Sequence, residues 1–467
     1  MVDLPQHEAI VSILRHLHDR NFGFDSYYRW APAGTLYIAP YLMGYALAHF
    51  VSVAMAMHIV VFCSVLSYPV GIVLCLRALG RPTYLGLLAM PFVYNQSFFW
   101  GFVNFNFAVG LSFVTLSFLI SDWSPRKAVA VALLSVVIAI THVYGLILLG
   151  SYMVIWLLLG ERRAAARRLV ALTPAALALV LWLAFASNAP GFEGFRWGGL
   201  ASRWFRFPNA ILGGWRGNSE TMFLGCILLA IVAFSRRAMP LTALRWRGLS
   251  LHLRVVWVFI GLHLLAYFSM PELAVAANKA SFRHAELAVL ALPLTVTSED
   301  ATIAPVWLRL GIVTLAISLV ANSWLHFRRF NREAESFDAI VNAVPSRPRL
   351  AQLTYDRYGK VARVPAYLHF AAYVQSNKGG LLAVSFPGMF WNIPFKREVE
   401  AISPNVPQGL EWNPLLFEAS GLEKNFDYVI VREARNHGPR LPQPFPYHLQ
   451  LRSGPWCLFH RYETIHE

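Results

Sequence analysis

The chain has 467 residues, of which 57% are hydrophobic, 14% aromatic and 14% charged. Soluble globular domains carry about 25% charge, so the composition excludes an ordinary soluble enzyme and indicates a polytopic membrane protein. The 40 Lys and Arg outnumber the 25 Asp and Glu to give a net charge of +15, but these cations cluster between apolar runs, where topology marking by the positive-inside rule explains them better than nucleic-acid binding.

The chain opens MVDLPQHEAI, with no signal peptide or apolar helix ahead of Asp3. Asp3 fits a helix N-cap and Pro5 the first helical turn. His7 lies four positions after Asp3 and would share its face of a helix. The same first loop also offers Glu8, Asp25 and Arg29. The next stretch, LYIAPYLMGYALAHF (36–50), is apolar but broken by Pro40 and dotted with Tyr37, Tyr41, Tyr45 and His49. Aromatic-rich amphipathic segments favour the membrane interface, so 36–50 is expected to lie there or to re-enter. Read instead as a full span, it would put the N-terminus on the other side.

Ten apolar runs follow, near 57–76, 83–95, 104–121, 128–141, 145–159, 169–187, 219–235, 253–269, 285–297 and 305–324. Each is read as a membrane-spanning helix, several of them shorter than the usual crossing of about 20 residues. Basic marks stand at Arg77 and Arg81, at Arg126 and Lys127, in ERRAAARR (161–168), and at Arg236, Arg237, Arg245 and Arg247. If every mark is cytoplasmic, two crossings fit each interval and 57–76 enters the cytoplasm at Arg77. The residues before it, Asp3 included, then face the periplasm or its equivalent. A chain that starts outside with no translocation signal is expected to have lost a helix upstream of Met1.

After Trp324 the texture changes. Residues 331–467 are proline-rich and lack a long apolar run, while LLAVSF (381–386), FDYVIV (426–431) and WCLFHRY (456–462) read as short strands between polar segments. The expected fold is thus an all-α polytopic membrane bundle with a small extracytoplasmic α/β domain at the C-terminus. Its parts are an outer loop with juxtamembrane helices (1–56), a bundle of about ten helices (57–325) and the soluble domain (326–467). Cys63, Cys75, Cys226 and Cys457 are scattered without a CxxC pair, so neither a disulfide framework nor a zinc site is indicated.

Polar groups that membrane burial does not explain gather on the expected outer side. The turn YNQSFFWGFVNFN (94–106) carries Asn95, Gln96, Asn104 and Asn106, and His142 stands between two spans. The loop 188–218 interleaves Arg196, Arg203, Arg206 and Arg216 with Trp197, Trp204 and Trp215, and 270–284 ends in Lys279, Arg283 and His284. Taken singly, His142 also fits a satisfied helix-end histidine, Asp3 a plain helix cap, and the Arg/Trp loop an anchor at lipid headgroups. Taken together, cations on two outer loops and an acid on a third suit an anionic, lipid-linked substrate, with a carboxylate to deprotonate an acceptor hydroxyl. Asp25, the next acid of the loop with no partner in its own heptad, is the candidate if Asp3 is only a cap.

At these residues the chain resembles the GT-C superfamily of membrane glycosyltransferases, in its bacterial branch of aminoarabinose and mannosyl transferases. The likeness covers most of the chain in architecture and few residues in motif. In that family an acidic catalytic residue opens the first extracytoplasmic loop, the place held here by DLPQHEAIVSIL, with Asp3 as the match. Juxtamembrane helices like 36–50 follow, then a span ending in a basic residue and glycine, similar to LCLRALGRP (74–82), and many members end in an extracytoplasmic domain. The chain departs from the pattern in lacking the first helix and in carrying Asp-Leu rather than Asp-Glu.

The resemblance implies an inverting glycosyltransferase of the bacterial inner membrane with its C-terminal domain on the periplasmic side. Asp3, or failing it Asp25, would be catalytic. His7, Arg29, His142, Arg196, Arg203, Arg206, Lys279, Arg283 and His284 would bind substrate, with Arg283 and Lys279 foremost at the donor phosphate. The partners implied are a polyprenyl-phosphate-linked sugar, membrane lipids and a glycan, lipid or protein acceptor, with no nucleic acid. Some relatives use a divalent metal, which leaves that cofactor open, although no local ligand cluster calls for one. Two other classes fit the same loops: a transporter or flippase for a lipid-linked saccharide, for which internal repeats are expected and none is clear, and a non-catalytic membrane subunit of an envelope-polymer assembly.

Overall fold

The structure, a computed structural model, describes residues 1–31, 36–160, 162–185, 195–234, 243–274, 277–297, 305–386, 393–396, 409–419, 421–433 and 445–462. It divides into two compact units, Met1–Val60 with His326–Glu467, and Val61–Leu325.

The first unit begins with α1 (Leu4–His16), which has Asp3 at its N-cap and Pro5 in its first turn, where a missing N–H leaves no bond unmade. Helix α2 (Ala39–Leu47) has nine residues, about 14 Å at 1.5 Å per residue and roughly half a crossing. Helix α3 (Val53–Ala78) is a 26-residue apolar helix in which the second unit begins.

That second unit is helical almost throughout. A 3₁₀ stretch (Thr83–Tyr94) leads to α4 (Gln96–Trp100), α5 (Val103–Ile120), α6 (Pro125–Thr141), α7 (Val143–Leu159), α8 (Arg162–Val170) and α9 (Thr173–Phe185). Then come α10 (Leu200–Ile211), α11 (Ser219–Phe234), α12 (Ala243–Gly248), α13 (Leu251–Ser269), α14 (Ala280–Leu290), a 3₁₀ turn (Leu292–Thr295) and α15 (Val306–Ala334). Among the described residues, α3, α5, α13 and α15 are long and apolar enough to cross a membrane, and α8 with α9 makes a further pair bent by 52°. Of the other five expected crossings, α6, α7 and α11 are helices of 17, 17 and 16 residues, shorter than those, and two take other forms. Residues 83–94 wind as a 3₁₀ helix containing Pro91, and the run 285–297 stops at Leu290, with Pro293 in the turn beyond it. Proline removes the N–H that an α-helix would need there.

Helix α5 is central, with 78% of its apolar window buried, whereas 22% of that of α15 is buried. Such an outward apolar face needs lipid or another apolar partner. Close packing inside the bundle uses small residues: a Cβ on Gly71 would lie 2.6 Å from the Phe113 Cβ and 2.9 Å from the Val114 nitrogen, so α3 and α5 meet backbone to backbone. Several basic marks are also structural. Arg81 is buried and donates to the Leu294 carbonyl, while Arg168 donates to Ser121 O at 3.2 Å and lies over the Trp123 and Trp156 rings. Cations at carbonyl-bearing helix ends satisfy the acceptors left there.

The first unit resumes with α16 (Phe337–Ala343), β4 (Arg349–Thr354), α17 (Ala371–Lys378), β5 (Leu381–Leu382), α18 (Leu416–Ala419), β6 (Tyr428–Arg432), β7 (Tyr447–Ser453) and β8 (Trp456–Arg461); β1 to β3 (Phe195–Arg196, Leu273–Ala274, Ala277–Asn278) form a minimal antiparallel sheet in the other unit. The five-stranded sheet has the order β5-β4-β6-β8-β7, with β4 parallel to β5 and β6 and the remaining pairs antiparallel. The predicted strand in LLAVSF shortens to Leu381–Leu382, and β4, not foreseen, becomes the strand around which the parallel part is built. Buried Leu350, Ile430, Trp456 and Leu458 from the sheet, Phe370 and Val374 from the α17 region, and Ala9 from α1 share one core. The Ser12 hydroxyl donates to Ser376 O at 2.7 Å, and the Gln6 amide donates to Val384 O at 2.9 Å and accepts from Phe386 N–H at 3.2 Å. Helix α1 is therefore docked on the α/β sheet by packing and by backbone-directed hydrogen bonds.

Candidate functional site

Strand β4 lies between β5 and β6, so the point where the winding reverses is between the carboxyl ends of β4 and β6. In open α/β sheets that crevice is the usual place for a ligand. A small pocket lies instead on the β5 side of β4, lined by Gln6, Gln352, His369, Leu382, Val384 and Glu411 among others. The Gln352 amide donates to Tyr367 O at 2.7 Å and accepts from Ala371 N–H at 2.6 Å, fixing the turn that presents His369.

His369 is 5% exposed. Its Nε2 lies 2.8 Å from Glu411 Oε2 in a hydrogen bond, and its Nδ1 lies 3.2 Å from Asp3 Oδ1, an ion-pair contact without hydrogen-bond geometry. Burial acts against a charged imidazole, but hydrogen bonding and charge from Asp3 and Glu411 outweigh it and push His369 up to about 9. Burial would raise Glu411, yet its bond to His369 holds it below the usual carboxylate range. At neutral pH the array is an imidazolium between two acids. Asp3 occupies the N-cap position but makes no side-chain cap bond, and its side chain is 13% exposed.

The other residues expected from the first loop lie apart from this array. His7 does not join Asp3: its Nδ1 meets the Tyr41 hydroxyl at 2.8 Å, tying α1 to α2. Asp25 is exposed in the 3₁₀ turn Phe24–Ser26. Arg29 is exposed too, and its main-chain N–H donates to Pro394 O. Glu8 is 3% exposed with no hydrogen bond or ion pair among the described residues, and burial pushes its carboxyl up to about 8.

The second unit has a polar cluster of its own. His142 Nδ1 caps α7, with Tyr144 N–H at 3.2 Å. The ring's Nε2 lies 3.3 Å from Arg283 Nη1, and a neutral imidazole accepts from one of these two donors at a time. The Arg283 guanidinium also lies over the Phe102, Phe105 and Tyr144 rings. Lys279 precedes α14 in a left-handed conformation (φ +57°), with its ammonium 4.2 Å above the centre of the Trp100 ring. His284 Nδ1 and His263 Nδ1 share a hydrogen bond of 2.8 Å. The arginines expected in the 188–218 loop serve different ends. Arg203 is fully buried and donates to Tyr267 O at 2.7 Å, while its Nε and Nη2 have no hydrogen-bond partner among the described residues; Arg206 pairs with Glu272 at 3.6 Å; Arg196 is exposed on β1.

No group of three or more His, Cys, Asp or Glu able to hold a metal occurs among the described residues. The fold and these sites define a mainly helical, membrane-type protein carrying a small mixed sheet. Comparison with protein-family models, with curated proteins and with solved structures gave no match.

Proposed function

We propose that the chain is a membrane glycosyltransferase using a polyprenyl-phosphate-linked sugar, with Asp3 as general base. The observation that carries this reading is the Asp3 carboxylate, which heads α1 without capping it and meets a histidine held by a second acid. In the reaction an acceptor hydroxyl gives its proton to Asp3 as its oxygen bonds to the anomeric carbon. The bond from that carbon to the phosphate oxygen breaks, the configuration inverts, and polyprenyl phosphate leaves.

The donor phosphate is assigned to Arg283, aided by Lys279. The buried Arg283 guanidinium suits an anionic oxygen, and the Trp100 ring beside Lys279 suits a sugar face or a prenyl chain. The four long apolar helices support membrane residence. The bacterial inner membrane and an outward-facing first loop and C-terminal domain complete the proposal.

The test is release of polyprenyl phosphate from labelled mannosyl and aminoarabinosyl donors by the full chain in proteoliposomes. Acceptor-dependent release is expected. Movement of intact donor between leaflets, with no release, would favour a flippase instead.

A further inference from the structure

We propose that His369 is a positioning residue for Asp3: Glu411 fixes the imidazole at Nε2, and the charged ring holds the Asp3 carboxylate at Nδ1 in line for the acceptor hydroxyl. The proposal rests on the assignment of Asp3 as general base. Asp3 comes from the start of α1, His369 from the turn before α17 and Glu411 from the segment before α18. Three stretches far apart in sequence thus meet at one ring. The charged groups facing His369 among the described residues are these two carboxylates; Phe386, after β5, meets the ring edge-on at 5.1 Å, and Gln6 and Gln352 line the same pocket.

The chemistry of the ring gives the arrangement a pH limit. An imidazolium has two N–H groups and can serve both acids; a neutral imidazole has one. When His369 loses its proton, near pH 9, the remaining N–H stays with Glu411, the closer partner at 2.8 Å. Asp3 then faces a lone pair and swings away. Since misplacement of a reacting group by about 1 Å can lower a rate about 10²-fold, turnover should fall along an alkaline limb near pH 9.

The experiment follows initial rates from pH 6 to 10 for the full chain in proteoliposomes, with labelled mannosyl and aminoarabinosyl polyprenyl phosphate as probes. Wild type, His369→Gln, Glu411→Gln and Asp3→Asn are compared, and thermal unfolding is recorded over the same range. Glu411→Gln removes one of the two groups that hold the proton on His369, so the alkaline limb should move to lower pH. His369→Gln should abolish the limb and lower turnover by about 10- to 100-fold at neutral pH, with KM little changed. An alkaline limb unmoved in Glu411→Gln overturns the proposal even if His369→Gln fails to fold. If Asp3→Asn retains full activity, or no donor is turned over at all, the general-base assignment itself falls and the positioning role falls with it. Loss of activity in Asp3→Asn with an unmoved limb would sink the positioning role alone.

Discussion

Glu8 and His369 are both buried and both titrate outside their ordinary ranges, yet they differ in kind. His369 has two acids to balance its charge, whereas Glu8 has burial and no hydrogen bond among the described residues. For His369 the folded pKa lies above the unfolded value of 6.5, so its contribution is fully present below about pH 6.5 and is lost as pH rises through about 9. Glu411 is depressed instead, so its contribution is present above its unfolded value of 4.5 and is lost as pH falls through its folded pKa. Removing the ring from between two carboxylates should be far worse than losing one hydrogen bond, about 3–5 kcal/mol for a broken buried pair. Glu8 runs the other way from Glu411: its folded pKa of about 8 exceeds the unfolded 4.5, so ionisation erodes stability from about pH 4.5 up to 8. Glu8→Gln should therefore raise the unfolding temperature at pH 8 and change it little at pH 4. Equal shifts at the two pH values would show that Glu8 is not the group responsible.

At the scale of elements, the α3–α5 crossing is the most exacting contact in the bundle. Gly71 faces Phe113 and Val114 with no room for a side chain, and the Tyr68 hydroxyl, one turn earlier on α3, donates to Leu290 O at 2.9 Å. Gly71→Val should separate the helices and destabilise the bundle by about 1–3 kcal/mol or more, as overpacking does. Thermal unfolding in detergent measures this; a variant as stable as wild type would mean that the helices do not cross so closely. The long helices of this bundle were legible in the sequence because α3, α5, α13 and the apolar part of α15 are continuous apolar runs with few breaks. The runs at 83–95 and 285–297 misled because hydropathy does not register what Pro91 and Pro293 do to the helix. Strand β4 was missed because RLAQLT interleaves Arg349 and Gln352 with its apolar residues, and Gln352 is spent bonding the turn before α17. The Asp3 end of the array was legible as an acid before a proline-led helix. His369 and Glu411 were not, since neither sits in a local motif and only the fold brings them to Asp3.

For the molecule as a whole, apolar helix surfaces such as Phe62, Leu133, Leu158 and Ile317, each more than half exposed, need lipid or another apolar partner. The docked helix α1 makes the first residues of the chain part of the α/β unit, so the proposed base is carried on a packed scaffold instead of a free arm. A catalytic group is effective only when its support fixes it, and here the support is the Gln6 and Ser12 bonds and the α1–α17 packing. The central claim is that this fixed carboxylate takes the acceptor's proton. The most direct measurement is sugar transfer from labelled polyprenyl-phosphate donors by Asp3→Asn beside wild type, both in proteoliposomes, with donor binding measured in parallel. Asparagine keeps the shape and caps a helix well, so folding and donor binding should persist while turnover falls by about 10²-fold or more. Transfer at the wild-type rate by Asp3→Asn would contradict the account.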